Sequence, residues 1–185
     1  MLKKNLNLNN DGFTLVELLV STSIFVIVAL ASLSIYAQTL KVSRKTLALT
    51  KVQTEAQFVM QVLAKKIRTS HLNYAYYAQP VVNPKLELAL TDLLGDDYLF
   101  KIATGVLTVK VNNGEEKIIP ADNIVINDLK FFINPTSNPF TTLDIPPTSH
   151  PYITVVMDVS ASKAGQTANL IIQQTIPQRS GQEPE

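Results

Sequence analysis

Glu17 is the only formal charge between Phe13 and Tyr36, in a run otherwise built of apolar and small hydroxyl residues. A carboxylate at the centre of a bilayer costs about 2.5–3.5 kcal/mol, and less near an end, so a chain that needed only an anchor would gain by losing it. Its presence calls for a positive partner. If the chain is cut after Gly12, the new ammonium of Phe13 stands four residues ahead of Glu17, about 6 Å along a helix. Opposite charges near 4 Å attract by about 4 kcal/mol at an effective dielectric of 20. Glu17 of one chain can then be neutralised by the Phe13 ammonium of a neighbour, which turns a liability in the lone chain into a register signal among packed helices.

Other reactive groups are sparse. There is no Cys, which excludes disulfides, thiolate metal sites and a cysteine nucleophile. The two histidines, His71 and His150, have no dyad or metal-pair spacing and are expected as surface residues. No dinucleotide fingerprint, P-loop or nucleophile-elbow string occurs. Asp92, Asp96 and Asp97 surround Gly95 and offer oxygen ligands to Ca²⁺, but their spacing fits no EF-hand and a solvated turn explains them equally well. No cofactor, metal or catalytic residue is assigned, and the chain reads as a non-enzyme. Tyr74, Tyr76 and Tyr77 lack a basic cluster around them, so packing suits them better than base stacking. A net charge of +1 and a pI near 7.9 give no field for nucleic acid.

The elements that must position Glu17 follow from hydropathy. Of 185 residues 46% are hydrophobic and only 17% charged, with the excess at the N-terminal end. Phe13 to Tyr36 as a helix is about 36 Å long, enough to span a hydrocarbon core of about 30 Å with some tilt. No Pro precedes Pro80 and no Gly lies between Gly12 and Gly95, so nothing stops the helix at the membrane surface. Beyond Tyr36, Leu49, Val52, Ala56, Val59, Leu63 and Ile67 recur at spacings of three and four, with Lys51, Glu55, Lys65 and Lys66 on other faces. The pattern predicts one helix from Phe13 to about Leu72, apolar all round in its first half and amphipathic in its second. Lys41, Arg44, Lys45 and Lys51 form a basic stripe suited to solvent and anionic headgroups. Two rival readings share these features: a plain signal anchor, and a secretory peptide cut after Ala29-Leu30-Ala31. The flanking charges do not separate them, since Lys3 and Lys4 are matched by Lys41, Arg44 and Lys45.

Gly12-Phe13-Thr14-Leu15-Val16-Glu17-Leu18-Leu19-Val20 resembles the processing motif of type IV prepilins and type II secretion pseudopilins. The resemblance implies cleavage after Gly12 by a prepilin peptidase, N-methylation of Phe13, and docking through Glu17 to other pilins or pseudopilins. It implies a chain held in the cytoplasmic membrane with its C-terminal domain outside, later part of a surface or periplasmic filament. Asp11 departs from the basic or neutral residue common before the Gly. The first helix lacks the Pro of many major pilins, which suits a minor or pseudopilin-like subunit. Leu63-Ala64-Lys65-Lys66-Ile67-Arg68-Thr69-Ser70 further resembles the helix end of J-type pseudopilins and W-type minor pilins.

From Pro80 the period changes to two. Expected strands are Leu86–Leu90, Tyr98–Ala103, Val106–Val111, Glu116–Ile119, Ile124–Ile133, Tyr152–Val159 and Ala168–Ile176, with hairpin turns at Thr104-Gly105 and Asn113-Gly114. Ile153, Val155, Met157 and Val159 make one strand face apolar, to be covered by the amphipathic helix half. Between Asn134 and Pro151 a Pro-rich connection is expected to run over the surface. The predicted class is α+β, a long helix packed on an antiparallel sheet. Its parts are a leader at 1–12, a transmembrane helix half at 13–36, an amphipathic half at 37–72, a sheet domain at 73–177 and a flexible tail at 178–185. The alternative function is a single-pass membrane-anchored extracytoplasmic binding domain.

Overall fold

The computed structural model describes residues 12–121, 124–140, 150–163 and 165–178. The leader up to Asp11, most of the Pro-rich connection and the tail beyond Gln178 lie outside them. Helix α1 spans Leu15–Thr69, followed by β1 (Ser70–Leu72), a 3-10 turn at Tyr74–Tyr76, and β2 (Leu88–Asp92). Then come β3 (Asp97–Ala103), β4 (Val106–Val111), β5 (Glu116–Ile118), β6 (Val125–Asn134), β7 (Tyr152–Lys163) and β8 (Gln166–Pro177). The chain divides into two units, one up to Ser43 and one from Arg44.

In the unit from Arg44 the helix packs on antiparallel strands. Ala48, Val52, Ala56, Val59, Met60, Leu63, Ala64 and Ile67 are buried, a stripe at helical spacing that faces one core with Leu88, Leu90, Phe131, Ile153, Val155, Met157 and Val159. Ala48 takes the place expected for Leu49, which is 40% exposed. The helix ends three residues before the expected Leu72, because Ser70–Leu72 pairs with β2 in the register Ser70↔Asp92 to Leu72↔Leu90. Pairing and burial of Ser70 and Leu72 win over a helical continuation that no Gly or Pro forbids.

The sheet is not single. Strands β1 to β5 form one antiparallel meander and β6 to β8 another. Pro120 after β5 has no N–H to continue a ladder, and β6 is edged instead by earlier segments. Ile126 N–H donates to Gly105 O at 2.8 Å, and Lys85 exchanges two bonds with Phe131, each 2.8 Å. Asn83 imitates a strand residue: its Nδ2 donates to Ile133 O at 2.8 Å and its Oδ1 accepts from Ile133 N at 2.9 Å. Gly105 is required at its turn, with φ +78 and a position where a Cβ would stand 2.9 Å from Val125 Cγ1. Both expected hairpin turns are present, the second with Gly114 N–H donating to Val111 O at 2.9 Å. Gln178, expected in the frayed tail, is buried: its N–H donates to Pro151 O at 2.9 Å and its Nε2 to Ser70 O at 3.1 Å.

Candidate functional site

Gly12, Phe13 and Thr14 precede the first helical residue, so the Gly12–Phe13 bond lies in non-helical backbone. Phe13 is 79% exposed, and a Cβ at Gly12 would meet nothing within 4 Å. The C-terminal side of that bond is thus exposed and non-helical as far as Thr14. Thr14 caps the helix: its Oγ1 accepts from the Glu17 N–H at 3.2 Å, and its carbonyl accepts from Leu18 N–H at 3.2 Å. Glu17 thus sits in the first turn, where the unpaired N–H groups of the helix end favour an anion. Thr14-Leu15-Val16-Glu17 is a Thr-x-x-Glu capping signature. The local helix end offsets part of the cost of Glu17, a contribution that the sequence reading missed although the string was visible.

Every described residue from Gly12 to Leu47 is exposed, and the helix is long and apolar enough to cross a membrane. Several of its hydroxyl groups bond back to the helix, as those of Thr50 and Thr54 do further along. Thr22 and Ser23 donate to Leu18 and Leu19 carbonyls, Ser32 to Val28, Ser34 to Leu30 and Thr39 to Ile35, all between 2.8 and 3.0 Å. Each such bond hides a polar O–H on the helix's own backbone, which is what lipid or a packed helix neighbour requires.

The three aspartates do not share a centre. Asp92 Oδ1 accepts from Leu94 N–H at 2.9 Å and Asp96 N–H at 3.1 Å, and its Oδ2 from Lys66 Nζ at 3.3 Å. Crowding around the half-buried Asp92 opposes its ionisation, but those two N–H groups and the Lys66 ammonium outweigh it and hold the carboxyl below the usual range. Asp96 accepts from Asn112 Nδ2 at 2.8 Å, and Asp97 from Thr91 Oγ1 at 2.6 Å and Asn73 Nδ2 at 3.2 Å. Among the described residues no group of three or more His, Asp or Glu side chains is arranged to hold a metal ion.

His71 is half-buried on β1 with an unpaired Nε2, not a surface residue as expected, whereas His150 is exposed. Two of the three tyrosines pack. Tyr74 Oη donates to Pro135 O at 2.9 Å, while Tyr77 Oη donates to Glu87 O at 3.2 Å and accepts from Ala89 N–H at 2.7 Å. Burial raises the Tyr74 phenol to about 12 and pushes Tyr77 up as well. Tyr76 stays half exposed and donates to the Glu87 carboxylate at 2.6 Å.

No curated protein and no solved structure matches the chain. Residues 7–33 match the family model described as the prokaryotic N-terminal methylation motif. The matched segment contains Gly12, Phe13 and Glu17, and it supports a type IV prepilin-like precursor with a hydrophobic N-terminal helix.

Proposed function

We propose that this chain is a structural subunit, a minor pilin or pseudopilin, of a type IV-like filament. Prepilin peptidase cuts it after Gly12 and Phe13 is N-methylated; until assembly the helix from Phe13 anchors it in the cytoplasmic membrane, with the domain from Arg44 outside. Assembly pairs Glu17 with the Phe13 ammonium of a neighbouring pilin. The observation that carries this reading is the methylation motif at residues 7–33, in which an exposed Gly12–Phe13 bond leads into an uncovered apolar helix holding one carboxylate. The features beyond the motif are compatible with either a pilus or a type II secretion pseudopilus.

The mass of the membrane-extracted protein tests it. The expected chain starts at Phe13 and carries one added methyl group. A chain starting at Met1 supports the membrane-anchored binding domain, and one starting at Ser32 supports a secreted domain; either ends the filament reading.

A further inference from the structure

The turn between β2 and β3 presents Leu93 and Leu94 to solvent, 68% and 89% exposed. They are not frayed residues on a loose loop. Asp92 Oδ1 holds the N–H groups of Leu94 and Asp96, Gly95 N–H donates to Asp92 O at 3.1 Å, and Asp92 N–H donates to Asp96 O at 2.9 Å. The result is an apolar tip fixed in one shape, with Asp96 and Asp97 beside it and the charge of Asp92 answered by Lys66. Two adjacent exposed leucines in a fixed turn give this end of the sheet a small apolar surface available for contact.

The same unit carries a groove of about 580 Å³ between the C-terminal turns of α1 and strand β8, lined by Gln61, Ala64, Lys65, Arg68, Thr69 and Gln174. Ala64 is buried there, while Lys65 and Arg68 are exposed and bring two positive charges to the groove. Neither cation is in an ion pair among the described residues, and no carboxylate lines the groove. A mostly apolar groove carrying two cations is the complement of an apolar tip with acidic neighbours. One chain cannot close this contact on itself: the tip is tied to Lys66, which at 100° per residue lies about 130° round the helix from the Gln61, Lys65 and Arg68 stripe.

We propose that the Leu93–Leu94 tip of one copy of this chain docks in the Lys65–Arg68 groove of a second copy. The contact is head-to-tail, using two different patches, and such contacts propagate into open rows rather than closing into dimers. It rests on the filament reading, and within it on the case of a repeating subunit, in which two copies of this chain are neighbours in one array.

Because the chain has no Cys, introduced thiols report it directly. Full-length chains carrying Leu94→Cys, mixed in proteoliposomes with chains carrying Gln61→Cys, should cross-link with a short bifunctional maleimide. The yield should fall several-fold at about 1 M salt, where the Debye length is about 3 Å, and be lost when Lys65→Glu and Arg68→Glu are added to the Gln61→Cys chain. Pairing Leu94→Cys with Lys117→Cys, an exposed position on β5, is the control. Equal yields for Gln61→Cys and Lys117→Cys, or none for either, overturn the proposal. So does vesicle protection of Leu94→Cys from a water-soluble maleimide without cross-linking, which assigns the tip to lipid. A chain that starts at Met1 yet cross-links as described removes the filament reading and keeps this contact; one that starts at Phe13 without cross-linking does the reverse.

Discussion

The first and last stretches of α1 are both rich in Leu, Val and Ala, yet they meet their surroundings in opposite ways. From Leu15 to Leu47 every residue is exposed, and apolar side chains point in all directions. From Ala48 to Ile67 the apolar residues keep to one stripe, and Val52, Val59, Leu63 and Ile67 are wholly buried. The back half finds its apolar solvent within its own chain. The front half shows apolar residues on every side, a surface of the kind that lipid or packed helices match, and it carries a single carboxylate, Glu17.

The most severe test of that contrast is Glu17. Glu17→Val should leave membrane insertion intact while incorporation into filaments, read by shearing and immunoblotting, falls to background. Glu17→Gln separates two explanations, because an amide can still serve the first helical turn but cannot pair with an ammonium. Loss of assembly in both variants supports charge pairing. Loss in Glu17→Val alone would mean that Glu17 acts through the helix cap, and wild-type assembly in both would end the assembly role.

Next in size is a matched pair of truncations along the helix. Leu63→Ala opens a cavity in the core between helix and sheets and should cost about 2–5 kcal/mol in denaturant unfolding of the domain. Leu33→Ala, at a residue 64% exposed, should leave the same midpoint unchanged. A comparable loss at Leu33 would show that the front half is covered by its own domain and would erase the contrast.

How far the two regions were legible differs for the same reason. The front half was readable because its message is linear: Gly12, Phe13 and Glu17 stand within six positions, and a membrane span needs only length and hydropathy. Strands such as Val106–Val111 and the alternation Ile153, Val155, Met157, Val159 were readable because a period of two is local. The break into two sheets was not, since the edge of β6 is met by residues far away in sequence, such as Asn83 bonding Ile133 fifty residues on. Nor was β1, where Ser70, His71 and Leu72 would suit a last helical turn and only the pairing with β2 decides. That Ala48 rather than Leu49 opens the buried stripe is a spacing of four instead of three before Val52, which a period between three and four leaves open.

Within the back region, Tyr77 offers a smaller effect with a pH signature. Tyr77→Phe leaves the buried Ala89 N–H without an acceptor and should cost about 1–3 kcal/mol. The Tyr74 and Tyr77 phenols are raised in the folded state, so the stability they give is present below the unfolded value of about 10 and is lost as pH rises towards their folded values. Unfolding midpoints should therefore fall above about pH 10, less steeply in Tyr77→Phe. A flat alkaline limb in the parent would contradict the burial of both phenols.

The smallest effect belongs to Asp92, the residue that fixes the Leu93–Leu94 tip. Its carboxyl is lowered in the folded state by the Asp96 and Leu94 N–H groups and by Lys66, so its contribution is complete above the ordinary aspartate value and disappears as pH falls below about 4. Asp92→Asn should flatten that acid limb while leaving the midpoint at pH 7 only slightly lower, because an amide oxygen can still accept from the two N–H groups but cannot pair with Lys66. The same titration decides the metal question, since Asp92, Asp96 and Asp97 are committed to separate hydrogen-bond partners. Millimolar Ca²⁺ or EDTA should leave the midpoint of the parent where it is. A rise with Ca²⁺ that Asp92→Asn abolishes would mean that these carboxylates turn inward to an ion, and the tip would then be set by metal rather than by the Lys66 pair.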